Sequence, residues 1–231
     1  MKMKRIFVPT QNPSEWQRLL GKPEHWKKGY SAMATAASWE EAKGEMPKEI
    51  VDYLKESGQE ALNELKLLAA LPEWKVSFKP EGGRPSQTDV LALASNEKGL
   101  VVIAVESKVD ESFGDKDEKD LNEERKKDLL DVMGLRDYIK PYQLLHRTAS
   151  AIKTARDFHA RTALMLVHSF SGSKTGANYD TFNLFCVELG AKKVAEDLYN
   201  VSRFDSPCLY LGWCQGDHAS LNIDYKQIYH A

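Results

Sequence analysis

Two short apolar runs, Asp89 to Ala94 (DVLALA) and Leu100 to Val105 (LVVIAV), constrain this chain more than any other feature. Each is too short to be favoured as a buried helix, and the second is strongly β-branched, so both read as strands. Strands that are apolar at nearly every position need cover on both faces. Asn96-Glu97-Lys98-Gly99 separates them as a hairpin turn. The chain is therefore expected to be an α/β sandwich built on a mixed sheet. Its 231 residues suffice to bury a full core.

The flanking patterns supply the helices. Asn12-Pro13-Ser14-Glu15 signals a helix start, and Tyr30 to Ala42 reads as a helix rich in small residues. Pro47 opens another, with Ile50, Val51 and Leu54 on one face. A third is expected after Gly58, from Leu62, Leu65, Leu68 and Ala69 at spacings of three and four. Residues 1–58 then form an N-terminal helical region packed on a core of residues 59–231 that includes a C-terminal extension. Trp74 to Phe78 alternates like a half-covered strand, Glu81 to Pro85 is turn chemistry, and the charged run Asp115 to Asp128 reads as a solvated helix face or loop. A helix from Tyr142 to His159, a strand from Thr162 to Val167, a Gly/Ser loop from Ser171 to Ala177, a helix from Tyr179 to Leu189 and a strand from Cys208 to Trp213 complete the order. There is no internal repeat.

Charge and cysteine content narrow the function. With 32 Lys+Arg against 34 Asp+Glu, the net charge of −2 excludes a protein that grips nucleic acid by bulk charge, though not one with a local positive groove. Cys186, Cys208 and Cys214 form no CxxC pair, so neither a disulfide framework nor a zinc knuckle is expected. Met1 to Thr10 has only Ile6-Phe7-Val8 as an apolar stretch, too short for a secretory signal, and no window suits a membrane span. The expected location is the cytoplasm.

The chemistry concentrates at Asp89 and Glu106-Ser107-Lys108. Glu-x-Lys occurs five times, at Glu41, Glu64, Glu73, Glu106 and Glu124, but only the copy at 106 ends a long buried strand. Charges placed there must be paired, hydrated or metal-bound. A turn centred between Glu97 and Lys98 sets Asp89 opposite Glu106, with Cβ atoms about 4.5–5.5 Å apart. Two carboxylates that close repel unless a cation lies between them, and a hard divalent ion suits oxygen ligands. Alternation puts Lys108 on the same face, beside such an ion. The competing arrangement is an acid pair neutralised by Lys108 or a nearby arginine, with no metal. In metal-free protein, neutralising either carboxylate is expected to leave stability unchanged or raise it.

Ser86-Gln87-Thr88-Asp89, the hairpin and Val105-Glu106-Ser107-Lys108 together resemble the PD-(D/E)XK nuclease core, with Thr88 where that pattern has proline. GYSAMATAASWE, SQTDVLALA, IAVESKVDESFG, YQLLHRTASA and LMLVHSFS resemble an uncharacterised bacterial family of that superfamily, over roughly residues 25–190. The resemblance implies a restriction-endonuclease-like three-layer sandwich with an N-terminal helical region. It implies Mg²⁺ (or Mn²⁺ as substitute) held by Asp89, Glu106 and the Ser107 carbonyl, with Lys108 catalytic. It also implies a further acid from a helix before the sheet, with Glu40 the first choice and Glu64 the second. The implied partner is nucleic acid, DNA foremost, and homodimers occur among enzymes of this fold.

The helix after the core adds polar groups. Gln143, Arg147 and Ser150 lie opposite the Tyr142/Leu145/Ala149/Ile152 face, which is expected to pack on the sheet. Gln143 and Arg147 are candidate substrate contacts, since arginine can donate bidentately to a phosphate, and a salt bridge from Arg147 to Glu106 is the rival reading. His168 is either a further substrate contact or a core histidine, and His146 reads as structural. Gly172-Ser173-Lys174-Thr175 lacks phosphate-loop spacing. The expected activity is a metal-dependent nuclease. The alternative is a catalytically inactive nuclease-fold protein serving as a binding or interaction module.

Overall fold

The computed structural model describes residues 6, 10, 12–79, 85–114, 121–172 and 176–225. Most of the expected turn at 81–85, the first part of the charged run and residues 173–175 of the Gly/Ser loop lie outside the described residues. So does most of the N-terminal stretch.

The anticipated hairpin forms β2 (Ser86–Asn96) and β3 (Gly99–Lys108), paired antiparallel with Asn96 opposite Gly99 and Val90 opposite Val105. Gly99 lies at φ 125, in the region where a Cβ is disfavoured, which suits glycine at the turn exit. β1 (Lys66–Val76) pairs antiparallel with β2, while β4 (Thr162–Ser169) lies parallel to β3 and β7 (Cys208–Gln215) parallel to β4. Antiparallel β6 (Leu198–Asp205) and the short β5 (Lys192–Ala195) complete a seven-stranded mixed sheet ordered β1-β2-β3-β4-β7-β6-β5.

Alternation along these strands feeds two cores. Val90, Ala92, Val101, Ile103, Leu164 and Leu166 face one way, against Trp16, Trp26, Met33, Trp39, Ile50 and Leu54. α1 (Ser31–Glu41) and α2 (Lys48–Glu56) therefore cover that face, together with a 3-10 turn at Pro13–Leu19. Leu91, Val102, Ala104, Met165 and Val167 face the other way, against α3 (Glu123–Met133), α4 (Tyr142–Asp157) and α5 (Ala177–Glu188). The expected α/β sandwich on a mixed sheet is what forms.

Two sequence expectations are corrected, and one hairpin is additional. The helix expected at Leu62 to Ala69 is absent, and Lys66 onward is β1. A bulge between Leu67 and Ala69 lets Leu67 and Ala70 both turn inward, so strand alternation acquires a helix-like spacing of three. Asn12 starts a 3-10 turn rather than an α-helix, and its amide donates to Glu15 Oε1 at 3.3 Å instead of capping. The β5–β6 hairpin has no counterpart among the expected elements. Exposed Lys192 and Lys193 on a four-residue edge strand carry little apolar signal, and such charges protect a free edge.

α4 is also more buried than expected. Leu145, Ala149 and Ile152 enter the core, but so do Leu144, Arg147, Thr148 and Ser150, while Tyr142 is half-buried. Its polar stripe thus lies against protein, at the start of β2 and the end of β3. The three cysteines are free, and among the described residues no helix is long and apolar enough to cross a membrane.

Candidate active site

The cleft lies at the carboxyl end of β3, the first of the three parallel strands, where open α/β sheets commonly bind ligands. Its volume is ≈ 690 Å³, and Glu73, Asp89, Glu106, Lys108, Gln143 and Arg147 are among its lining residues. The hairpin register continues past Val90 and Val105, setting Asp89 opposite Glu106 on the face toward α4. Asp89 Oδ2 accepts the Ser107 backbone N–H at 2.7 Å, which pins the carboxylate across the ladder.

Glu106 is enclosed by cations. Lys108 Nζ lies 2.9 Å from Oε1, while Arg147 donates to Oε2 through Nε at 2.8 Å and Nη2 at 2.5 Å. Arg147 Nη1 donates to the Gln87 carbonyl at 2.5 Å, and Nη2 lies 3.7 Å from Asp89 Oδ1. Lys108 also donates to Gln143 Oε1 at 2.9 Å and sits 5.1 Å from the Phe113 ring centre. Burial alone would raise the Glu106 carboxyl, but Lys108 and Arg147 overcome it and hold it at about 2. Asp89 goes the other way: burial and the Glu106 charge push it up to about 6. The two carboxylates are therefore not equivalent, and the expectation that neutralising Glu106 is harmless is withdrawn. Glu106 is the counter-ion of two buried cations.

The row of acids is longer than the Asp89–Glu106 pair expected from the hairpin. β1 pairs with β2 through Pro72–Val90 and Trp74–Thr88, so Glu73 stands opposite Asp89, and three adjacent strands present one carboxylate each. Glu73 accepts from Gln87 Nε2 at 2.8 Å through Oε2. Burial and the nearby Asp89 charge raise its carboxyl well above the usual range. Its φ of 51 is left-handed, an uncommon backbone for glutamate within a strand and one that costs energy to hold. In the sequence Glu73 stands among the background Glu-x-Lys copies. Reading 66–76 as a strand and carrying its register to Asp89 is the signal that finds it.

Not every predicted site residue reaches the cleft. Glu40 accepts from Thr10 Oγ1 at 3.0 Å and from Trp16 Nε1 at 2.9 Å, on the α1 side of the sheet, and is not among the lining residues. Exposed Glu64, in the turn before β1, is not among them either. His168 follows Leu166 in the alternation of β4 and so faces α2, where its Nε2 lies 3.1 Å from Glu49 Oε1. Its assignment as a substrate contact is replaced by a core role. Ser107 contributes its backbone at the cleft. Gln143 reaches Lys108 and Arg147 reaches the acids, taking up the rival arrangement, an ion pair with Glu106.

Two further lining residues emerge. His146, its ring tilted against Tyr142 with centres 4.5 Å apart, has Nδ1 2.6 Å from Ser86 Oγ, and Ser150 Oγ donates to Ser86 at 3.0 Å. Burial and the Arg147 charge hold it neutral, far below its usual range. Glu111 accepts from Ser31 N and Oγ, each at 2.9 Å, and from Val109 N at 2.7 Å, tying the first turn of α1 to the end of β3.

The donor set can be tested against a hard divalent cation. Among the described residues, Asp89 Oδ1 and Glu73 Oε1 accept no hydrogen bond, and carboxylate oxygens are what such an ion takes. Glu106 could join them once Arg147 gives up an oxygen. As they stand, no group of three or more His, Cys, Asp or Glu among the described residues is arranged to hold a metal. The donor chemistry suits such an ion, while the present arrangement, with Arg147 on Glu106, leaves it no place.

Among known protein families, the model Domain of unknown function (DUF6946) covers residues 9–218. No curated protein and no solved structure matches.

Proposed function

The chain belongs to the family Domain of unknown function (DUF6946), and from the geometry of its cleft we propose that it hydrolyses phosphodiester bonds of nucleic acid, DNA foremost, as a metal-dependent nuclease of the PD-(D/E)XK type. The observation that carries this reading is the opposed pair Asp89 and Glu106, with Lys108 on the same face and α4 supplying Gln143 and Arg147 above them. The strand order β1-β2-β3-β4, with α4 crossing between parallel β3 and β4, is compatible with that fold.

Asp89, Glu106 and the Ser107 carbonyl are the groups that would hold Mg²⁺, and the ion when bound would polarise the phosphate and lower the pKa of a water. Lys108 keeps its proton: burial opposes the charge, but Glu106 and Asp89 outweigh it and raise its pKa. It can therefore offset charge developing on a phosphate oxygen. Gln143 orients that ammonium through its 2.9 Å contact. Arg147, whose planar fork matches phosphate, positions the backbone.

The alternative is a binding module of the same architecture without hydrolysis. The closed Arg147–Glu106 pair favours it. A plasmid-nicking assay with Mg²⁺ and with chelator separates the two. The nuclease reading expects metal-dependent nicking that Lys108→Ala abolishes while calorimetric Mn²⁺ binding persists. Polynucleotide binding without nicking in any divalent ion would select the module instead.

A further inference from the structure

Arg147 stands where a cation between the carboxylates would stand. It spends Nε and Nη2 on Glu106 Oε2 at 2.8 and 2.5 Å, its Nη2 is 3.7 Å from Asp89 Oδ1, and its side chain is 3% exposed. We infer that Arg147 is an exchangeable counter-ion, released from Glu106 by a substrate phosphate, so that divalent metal and polynucleotide bind this cleft cooperatively. The inference rests on the nuclease reading of the same cleft and adds to it a linkage between the two ligands.

The charges carry the argument. A divalent ion arriving alone meets a Glu106 already holding two cations, Lys108 and Arg147, and like charges at short range disfavour it. A phosphate arriving alone faces Asp89 and Glu106, and drawing Arg147 toward it strips Glu106 of a buried partner. Together the costs cancel: the guanidinium pairs with the phosphate while the ion takes its place on the carboxylate. Arginine suits such an exchange because its fork engages carboxylate and phosphate alike. Gln143 is placed one helical turn before Arg147 and bonds Lys108 independently, so the lysine keeps a partner through the exchange. Coupling is reciprocal by necessity, so each ligand tightens the other by one factor.

The test is calorimetric titration of Mn²⁺ into the full chain, with and without a phosphorothioate oligonucleotide that resists cleavage. Wild type should bind Mn²⁺ roughly 10-fold or more tightly with the oligonucleotide present. Arg147→Ala should bind Mn²⁺ more tightly than wild type without oligonucleotide, and the enhancement should vanish. Arg147→Lys, which keeps the charge but not the fork, guards against a folding defect in the alanine variant and should show weakened coupling. A second arm follows the arginine Nε–H resonances, where the Arg147 signal should shift with oligonucleotide and diamagnetic Mg²⁺ together and far less with either alone; equal shifts with oligonucleotide in chelator would overturn the exchange. If wild type binds Mn²⁺ and nicks DNA but its Mn²⁺ affinity ignores the oligonucleotide, the exchange is wrong and the nuclease reading stands. Absence of Mn²⁺ binding in all three proteins, with oligonucleotide present, overturns both.

Discussion

Two buried acid–base clusters lie on opposite faces of the sheet at neighbouring levels of β3 and β4, and they differ in how they are completed. On the α1/α2 face, Glu49 Oε1 meets His168 Nε2 at 3.1 Å and accepts from Ser38 Oγ at 2.9 Å. Burial would raise its carboxyl, yet His168 and the added hydrogen bonds bring it to about 2. Neither residue borders the cleft. On the α4 face, three carboxylates meet two cations beside open space, and two carboxylate oxygens accept no hydrogen bond among the described residues. The first cluster pairs one carboxylate with one imidazole and joins α2 to β4, leaving His168 Nδ1 without a hydrogen-bond partner among the described residues. The second holds more acid than its own partners satisfy, which is costly for structure alone and useful only with a ligand.

The contrast is tested hardest by Glu106→Gln. Removing the acid strands Arg147 and Lys108, so thermal or urea unfolding should show a loss of about 3–5 kcal/mol. A melt indistinguishable from wild type would mean that the two cations are not buried against it. Glu49→Gln should cost less, about 1–3 kcal/mol, and leave Mn²⁺ titrations unchanged. A loss of Mn²⁺ binding in that variant would erase the distinction between the faces.

Asp89→Asn should move stability the other way, a gain of about 0.5–1 kcal/mol without metal, since directly opposed like charges repel. Its pH dependence separates the two clusters further. Asp89 is raised from its ordinary 3.8 to about 6, so its contribution to stability is present below about pH 4 and lost as pH rises through 6. Glu49 and Glu106, lowered to about 2, contribute stability present above about pH 4.5 and lost as pH falls toward 2. Melts of Asp89→Asn between pH 4 and 7 should show a shallower descending step than wild type, the remainder coming from Glu73, whose carboxyl is raised as well. The smallest effect is expected from Glu40→Gln, about 0.5–1.5 kcal/mol from weakened bonds to Thr10 and Trp16, with DNA nicking intact. Lost nicking in a well-folded Glu40 variant would return that residue to the site.

The order of residues settles what is local. Apolar runs of strand length demand cover on both faces, and a tight turn sets the β2–β3 register, because pairing across a four-residue turn leaves little freedom. That register alone is enough to put Asp89, Glu106 and Lys108 on one face. Glu73 is out of its reach, because nine residues, 77–85, separate β1 from β2 along the chain, and a connection of that length does not by itself specify a register. Packing also fixes the rotation of α4, which is buried on its polar stripe as well as its apolar one, and so turns Arg147 from a solvent-facing phosphate contact into the partner of Glu106. It sends His168 to the far face through the strand's period of two, and ties Glu40 to Trp16 through a packing of α1 that no spacing along the chain specifies. Pairing at short range is written in the order of residues. Which distant charges meet depends on how whole elements pack, because burial leaves each charge only the partners that packing brings to it.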